Sequence, residues 1–488
     1  MNKTRLIYIS FLFLIQSLFA QQKVISGLTI ETTATWSGNI VIEGDVIVAK
    51  TGRLIINAGS NISFMPNMDK QRSGKDKTRS ELIVYGILIV KGRLDAKVTF
   101  SSASANPRMG DWYGIRIMSP KQISVVENCL VEYAFNGLAV KKSNPVIRNS
   151  QMSLNYNAGI LVEVKAEPKI NKNIISENGY AGVITNLGAK PILSDNLIVA
   201  NQIGIIAFSL SQPNLGNLRD SKKVNQGRNS IFENSEYDVY NHTNLPLLAE
   251  NNSWGDNTNQ SEIALRVYDA KDEAKYGAID FLPVFKKSNI EEFLEISQPS
   301  PEPVLAQTQT TQDNNSNSAQ VQNPVNNNPP LSQPVTQTPA ISQNRIQQQS
   351  IAEPEENEVV EDTNTDNTEL LASNDVKPIE NLETKSAPPQ VNYDQIFLEY
   401  FLDTQKGEVV QKFAPQISNS TLGRGAKGQI IVRAVVSKNG LVESAAVIKG
   451  LNPYFDQLSV ETALKFKYKP GTIKNNPVRF YTNIFFEF

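Results

Sequence analysis

Side chains that build metal and disulfide sites are almost absent from the sequence. Its 488 residues include one cysteine, Cys129, and one histidine, His242. A single cysteine excludes an intramolecular disulfide framework and a cysteine-rich zinc site, and a single histidine excludes a metal site with two histidine ligands. We expect Cys129 to be a small buried apolar residue and His242 to lie in a surface turn. The sequence therefore predicts neither a bound metal nor a cofactor.

An excess of positive charge is also absent. The chain has 47 Lys and Arg against 49 Asp and Glu, which gives a net charge of −2. A protein that binds nucleic acid presents a strongly basic surface to the phosphates. We therefore expect no nucleic-acid partner.

Beyond the first twenty residues, no apolar run is long enough to span a membrane. Lys3 and Arg5 precede a short apolar run over residues 6–19, and the small residue Ala20 follows. This pattern predicts a secretory signal peptide over residues 1–20, because a membrane span needs about 20 apolar residues. We expect it to be cleaved, and we expect no stable membrane span unless it is retained as an anchor.

Large apolar side chains are scarce in the region between residues 298 and 390. Its first part is dominated by Gln, Asn, Pro, Thr and Ser, and its second part is acidic. Such a composition cannot bury enough apolar surface to offset the entropy lost on ordering. We predict a disordered linker that acts as a passive tether. The alternative is a binding segment for a partner that recognises extended, proline-containing chain.

Glycine, proline and asparagine recur at fixed intervals before this linker. The interval is 22 or 23 residues, and each interval contains three short apolar segments. The recurring positions are Gly137, Gly159, Gly182 and Gly204, then Pro145, Pro168, Pro191 and Pro213, and finally Asn155, Asn178 and Asn201. This pattern is typical of a parallel β-helix, in which each period forms one coil. We expect the asparagines to form a ladder of stacked amides; a ligand-binding row is the alternative.

Several short motifs outside the repeats resemble motifs of the right-handed parallel β-helix proteins of the pectin-lyase-like superfamily. These motifs are Gly44-Asp45-Val46, Gly110-Asp111-Trp112-Tyr113-Gly114-Ile115, Asn252-Ser253-Trp254-Gly255 and Ile279-Asp280-Phe281-Leu282-Pro283. The resemblance implies this fold for residues 24–288. It does not imply an activity, because the fold carries lyases, hydrolases, adhesins and binding proteins.

Acidic residues in the repeats do not align into a catalytic cluster. Hydrolysis of a glycosidic bond needs two neighbouring carboxylates. Glu163 aligns with Asn186, and Glu177 aligns with Leu154 and Ala200. We therefore expect scattered, solvated acids and no catalytic residue. A polysaccharide-active enzyme would need a cluster hidden in coil insertions such as residues 70–79 or 215–227.

One basic segment interrupts the coils. It contains Lys70, Arg72, Lys75, Lys77 and Arg79, together with two aspartates. We expect a solvated loop. Its charge makes it the best candidate in this chain for contact with an anionic polysaccharide or a membrane surface.

The chain regains large apolar residues over 391–488. Residues 428–436 and 441–448 alternate as two strands around Asn439-Gly440, which is a strong hairpin signal. Asn452 suits an N-cap and Pro453 the first position of a helix. Phe455, Leu458, Thr462 and Phe466 would form the apolar face of that helix. Residues 478–488 alternate as a final strand.

The order of these elements resembles the C-terminal domain of the TonB family, with a core over residues 415–488. Phe455-Asp456, Phe466-Lys467-Tyr468-Lys469-Pro470 and Asn476-Pro477-Val478 take the positions of that family's motifs. The resemblance implies that a strand of an outer-membrane TonB-dependent transporter, or of another envelope protein, pairs with the edge of the final strand. That edge consists of Arg479, Phe480, Tyr481, Thr482, Asn483, Ile484, Phe485 and Phe486. Alternatively, this strand only packs on the helix or is covered by a second copy.

Together these observations predict a mainly β protein. A right-handed parallel β-helix is followed by a long disordered linker and a small α+β (ββαβ) domain. We expect a non-enzymatic adaptor, exported to the periplasm or outer membrane of a Gram-negative bacterium, that binds a polysaccharide or envelope component and docks a partner protein. The alternatives are a TonB-like energy transducer with a retained N-terminal anchor, and a polysaccharide lyase or hydrolase.

Overall fold

The computed structural model describes residues 23–219, 224–256, 258–286, 290–294, 393–416 and 428–488. The predicted signal peptide, residues 1–20, and the predicted linker, residues 298–390, lie outside the described residues. Among the residues that are described, no helix is long and apolar enough to cross a membrane.

The described residues between 23 and 280 wind into a parallel β-helix with three sheets. Through Leu247–Ala249, every third strand along the chain returns to the same sheet, and each strand pairs in parallel with the strand one coil earlier. Sheet one consists of Lys23–Ile25, Asn39–Ile42, Asn61–Phe64, Val98–Ser102, Cys129–Glu132, Gln151–Ser153, Ile174–Ser176, Leu197–Val199 and Ser230–Phe232. Sheet two consists of Leu28–Ile30, Val46–Val48, Glu81–Val84, Trp112–Ile117, Ala134–Lys141, Ala158–Glu163, Ala181–Asn186, Ile203–Ala207, Tyr237–Asn241 and Val267–Tyr268. Sheet three consists of Thr33–Trp36, Arg53–Asn57, Ile87–Lys91, Val125–Glu127, Val146–Arg148, Lys169–Asn171, Ile192–Ser194, Asn214–Gly216, Leu247–Ala249 and Ile279–Asp280.

The core of the β-helix consists of stacked inward columns. In sheet one, Ile175 pairs with Ile198, which pairs with Ile231, and all three belong to one continuous apolar cluster. Side chains alternate between the two faces of a strand, so the residues on either side of each inward one point away from this core. The period of 22 or 23 residues therefore places equivalent residues directly above one another.

The predicted asparagine ladder is present. Asn155 Nδ2 donates to Asn178 Oδ1 at 3.0 Å, and Asn178 Nδ2 donates to Asn201 Oδ1 at 2.9 Å. A second ladder, which the sequence analysis did not identify, links Asn173, Asn196, Asn229 and Asn252. Both ladders are buried, and each amide bonds backbone groups of adjacent coils as well. They satisfy polar groups that would otherwise be left unpaired at the corners of the coils.

The repeated glycines are explained by these ladders. A Cβ atom at Gly159 would lie 2.9 Å from Asn178 Nδ2 and 2.8 Å from a methyl carbon of Ile175. Gly137 and Gly182 face the ladder amides of Asn155 and Asn201 in the same way. Any side chain here would displace the ladder.

A short helix lies near the C-terminal end of the β-helix. The helix Gln260–Arg266 begins with a capping box formed by Asn259 and Glu262. Its Arg266 Nη2 donates to the buried Asp238 at 2.9 Å, and Asp238 in turn accepts from Asn234. Asn234 continues the first ladder, because its Oδ1 accepts from Asn201 Nδ2 at 3.0 Å.

The C-terminal region forms the predicted hairpin, helix and final strand. Gln429–Val436 and Val442–Lys449 pair antiparallel, the helix spans Pro453–Ala463, and the final strand is Arg479–Glu487. Gly440 adopts φ +80° in the hairpin turn, a conformation that favours glycine. Asn452 caps the helix by accepting from the N–H of Phe455 at 3.0 Å. The predicted fold class is thus confirmed for both domains.

The apolar face of this helix differs from the predicted one. The buried residues are Phe455, Asp456, Ser459, Thr462 and Ala463. The predicted face member Leu458 is only partly buried, and Phe466 lies beyond the last helical residue. Asp456, which was not predicted on this face, is buried, and its Oδ1 accepts from the N–H of Leu451 at 2.8 Å.

Short elements complete the described chain. They are the helix Ile290–Phe293, the strand Ile396–Leu398, the 3₁₀ turn Glu399–Phe401, and the paired strands Val409–Gln411 with Lys467–Tyr468 and Thr472–Ile473 with Asn476–Pro477. The main C-terminal sheet has four strands in the order Ile396–Leu398, Arg479–Glu487, Gln429–Val436, Val442–Lys449.

Candidate functional site: the C-terminal sheet on the β-helix

The C-terminal sheet is covered on both faces. Ile430, Val432 and Ala434 share an apolar cluster with Phe455 and Ala463 of the helix. Ile431 and Arg433, which alternate with them, are buried as well. Because strand residues alternate between faces, a second layer must cover the face opposite the helix. That layer is sheet one of the β-helix, which falls in the same compact unit.

Sheet one is apolar on its outer face where the C-terminal sheet lies. Ile174 pairs with Leu197, and Val199 pairs with Phe232, so the outward residues form two columns. All four side chains are buried in the apolar cluster that contains Tyr400, Phe397 and the C-terminal sheet. A strand such as Leu197–Val199, apolar on both faces, is typical of a sheet buried on both sides.

A buried ion pair lies at the centre of the interface. Arg433 Nη1 donates to Glu177 Oε1 at 2.8 Å, and the two side chains are 8% and 6% exposed. The guanidinium carbon lies 4.2 Å from the centre of the Tyr481 ring. Burial is the largest influence on the pKa of Arg433 and would lower it, but the charge and hydrogen bond of Glu177, together with Tyr133 and Tyr481, raise the pKa overall. The arginine is therefore always charged and needs this partner.

Further polar contacts surround the pair. Asn483 Nδ2 donates to Glu177 Oε1 at 2.9 Å, and the hydroxyls of Tyr400 and Ser176 lie 3.1 Å apart. Toward the N-terminal coils, the backbone N–H of Met109 donates to Ile448 O at 2.9 Å. Arg108 Nη1 donates to Asp456 Oδ2 at 3.0 Å nearby.

Not every buried polar atom at the centre of the interface is bonded. Glu177 Oε2, Arg433 Nε and Asn483 Oδ1 are buried and have no hydrogen-bond partner among the described residues. Unsatisfied buried groups cost free energy. The apolar columns must therefore supply most of the attraction between the two domains.

The expectation that Glu177 is a solvated acid is wrong. Its neighbours in the repeat are Leu154 and Ala200, so the acid looked isolated from within the β-helix. Its partner Arg433 is 256 positions away in the sequence. The available signal was Arg433 itself, a charged residue in the middle of the apolar strand Gln429–Val436.

The predicted docking strand is not an edge strand over its first residues. Arg479, Phe480 and Tyr481 pair in parallel with Ile396, Phe397 and Leu398, and on the other side the strand pairs with Gln429–Val436. Three apolar residues after a long linker gave too little sequence signal to predict this added strand. From Thr482 onward, the final strand has one paired neighbour among the described strands.

A buried carboxylate lies beside the added strand. Glu399 Oε2 accepts from the Thr482 hydroxyl at 2.8 Å and from the N–H of Gly407 at 3.2 Å. Burial raises the pKa of Glu399 to about 7, although these hydrogen bonds favour the charged form. This group changes charge near neutral pH.

The basic segment is a folded loop held by acids. Asp45 Oδ2 accepts from the N–H of Ser73 at 2.8 Å and from that of Gly74 at 2.6 Å. Glu81 accepts from Asp76 N at 3.0 Å and also from Lys75 N. Burial raises the pKa of Asp45 and of Glu81, and the latter also binds Arg116 at 2.9 Å.

The five basic side chains of this loop differ in their surroundings. Lys70 pairs with Glu43, and Arg79 pairs with Asp76 while lying 4.9 Å from the centre of the Phe135 ring. Lys77 Nζ donates to Gly74 O at 2.7 Å. Lys70, Arg72, Lys75 and Lys77 are exposed, and Arg79 is partly buried. Four cations therefore face solvent, whereas Arg79 serves the packing of the loop.

Comparison with known proteins agrees with this two-domain division. Residues 39–270 match the family model of the periplasmic copper-binding protein NosD, and residues 419–488 match that of the Gram-negative bacterial TonB protein C-terminal region. No curated protein matches the chain. Among solved structures, the chain is similar to a double mutant of the periplasmic alginate epimerase AlgG, with 10% identity, a TM-score of 0.25, and coverage of 54% of this chain and 72% of that one.

Neither Cys129 nor His242 is placed to bind copper. Copper in proteins is bound by thiolate, thioether and imidazole groups. Cys129 lies in the core, and burial raises the pKa of its thiol to about 12, so it stays protonated. His242 is surrounded by the rings of Phe208, Tyr240 and Tyr276. In the described parts of the chain, no three His, Cys, Asp or Glu side chains converge in a way that could hold a metal ion.

Proposed function

We propose that this protein is an exported envelope adaptor without enzymatic activity. In this proposal the β-helix binds a polysaccharide or another envelope component. The C-terminal domain docks an extended segment of an envelope protein, for which an outer-membrane TonB-dependent transporter is the model. The two matching families, one of a periplasmic protein and one of a Gram-negative bacterial protein, support a location in the periplasm or at the outer membrane.

The observation that carries the proposal is the interface centred on Glu177 and Arg433. Each domain buries apolar side chains against the other, with the ion pair between them. A ligand on the β-helix and a partner on the C-terminal domain would therefore be held in one body. Joining two binding events in this way is what an adaptor requires.

The docking surface in this proposal is the remaining part of the final strand. Residues 482–487 pair with Gln429–Val436 on one side only among the described strands. Phe485 is 54% exposed here and offers an apolar contact beside the backbone groups of the edge. An extended partner segment can add to such an edge by backbone hydrogen bonds.

The two alternatives have less support. A TonB-like energy transducer needs residues 1–20 to be retained as a membrane anchor, and their sequence pattern is that of a cleaved signal peptide. A lyase or hydrolase needs converging acids or bases in an open groove, and Glu177 is instead engaged by Arg433.

A photo-crosslinking amino acid at position 485, introduced into the full chain in its native cells, tests the docking surface. We expect a crosslink to an extended segment of one envelope protein, identified by mass spectrometry of the joined peptides. Leu265, which is 80% exposed on the helix Gln260–Arg266, is the matched apolar control and should give no such product. Equal products at both positions, or none at 485, would argue against docking at this edge.

Retention of the full chain on insoluble polysaccharides tests the other half of the proposal. We expect stronger retention on an anionic polymer than on a neutral one, with a loss in the double variant Lys75→Gln/Lys77→Gln. Lys169→Gln, an exposed lysine on sheet three, is the control. Equal retention of both variants would remove the basic loop from the proposed site.

A further inference from the structure

The strand Ile396–Leu398 is an addition to the domain that the TonB family model describes. That model matches residues 419–488, and the added strand lies upstream of this range. It pairs in parallel with Arg479–Tyr481, at the edge where a partner strand was expected. The chain thus supplies its own strand to part of its docking edge.

The contacts of this strand are those that a bound peptide would make. Ile396, Phe397 and Leu398 are all buried, in one apolar cluster with Phe480 and Tyr481. Backbone pairing is supplemented by side chains that fill the two faces alternately, which is how added strands gain affinity and specificity. The next residue, Glu399, accepts from the Thr482 hydroxyl and so fixes the register.

We propose that residues 393–402 are an internal ligand that competes with partner strands for the final strand. This inference rests on the proposed docking function and restricts it. The internal segment shows which partner would fit the edge over Arg479–Tyr481. Such a partner is an extended segment with three consecutive apolar side chains followed by an acidic one. A partner without these features can use only residues 482–487.

Competition favours the internal strand for two physical reasons. It is covalently attached, so its effective concentration at the edge exceeds that of a free peptide at micromolar levels. It also continues into Tyr400, Phe401 and Leu402, which are buried in the same cluster. The edge is therefore closed to weak partners and opens only to a segment that replaces these contacts.

Binding of a fluorescent peptide with the sequence of residues 393–402 to the full chain tests the inference. We expect little binding to the unmodified protein. Phe397→Ala and the milder Leu398→Ala should each weaken the internal strand and improve peptide affinity by about tenfold or more. A peptide of scrambled sequence is the control. A peptide with valine at the position of Glu399 should bind either variant several-fold more weakly, because it has no acceptor for the Thr482 hydroxyl.

Hydrogen exchange by mass spectrometry provides the second measurement. The amides of Arg479–Tyr481 should exchange faster in the variants and regain protection when the peptide is added. Peptide binding to the unmodified protein as tight as to the variants would overturn the inference, as would failure to bind either variant in its folded state. Neither outcome bears on crosslinking at position 485, so failure of this inference is distinguishable from failure of the docking proposal.

Discussion

The contact between the domains centres on two opposite charges that are shielded from water. Glu177 and Arg433 are both nearly fully buried, so each depends on the other for compensation. Removing one partner leaves an uncompensated charge, which is far more costly than losing an ion pair at the surface.

We expect Glu177→Gln to lower the free energy of unfolding by about 3–5 kcal/mol, because Arg433 would remain buried without its counter-charge. The double variant Glu177→Gln/Arg433→Met should recover part of this loss. Denaturant unfolding measures both. The exposed pair of Arg93 and Asp95 is the control, and Asp95→Asn should produce no measurable change. A similarly small effect of Glu177→Gln would show that the ion pair is not buried in solution.

The buried Glu399 makes stability depend on pH. Its pKa is about 7 in the folded protein against an ordinary value of 4.5, so folding favours the protonated form. Its contribution is fully present below pH 4.5 and is lost as the pH rises through 7. We expect stability to fall by about 1–3 kcal/mol more between pH 5 and pH 8 in the unmodified protein than in Glu399→Gln. If the free energy of unfolding, measured in urea, changes equally between pH 5 and pH 8 in the unmodified protein and in Glu399→Gln, this assignment is wrong.

At the scale of elements, the burial of side chains on the outer face of sheet one depends on whether the C-terminal sheet covers that face. Leu197 is fully buried there, whereas Ile192, an outward residue of sheet three, is 39% exposed. Leu197→Ala should destabilise the protein by about 2–4 kcal/mol, and Ile192→Ala by less than about 1 kcal/mol. Thermal unfolding of the two variants provides the comparison. Equal effects would mean that Leu197 is exposed to solvent in the same way.

Elements with a strong local period were predictable, and contacts across long sequence separations were not. The repeated Gly, Pro and Asn positions specified the coils, because each coil stacks on its neighbour in the same way. Asn439-Gly440 and Asn452-Pro453 specified the hairpin and the start of the helix. The strand Ile396–Leu398 has no such period, and the ion pair of Glu177 with Arg433 depends on how two complete domains meet.

At the scale of the whole molecule, one apolar cluster joins the β-helix to the C-terminal domain. Leu294 and Tyr393, which are described residues, both pack against this cluster. The role of residues 298–390 as a passive tether stays a prediction, because these residues lie outside the described part of the chain. We propose that the two domains hold together by their own contacts, without a covalent connection through these residues.

A protease site inserted within residues 320–350 of the full chain tests whether the two domains hold together by their own contacts. After cleavage, size-exclusion chromatography at micromolar concentration separates fragments that no longer interact. We expect the β-helix fragment and the C-terminal fragment to elute together, and Glu177→Gln to promote their separation. Separate elution of the two fragments from the unmodified protein would show that the C-terminal domain is an independent module, and the proposed interface would then be wrong.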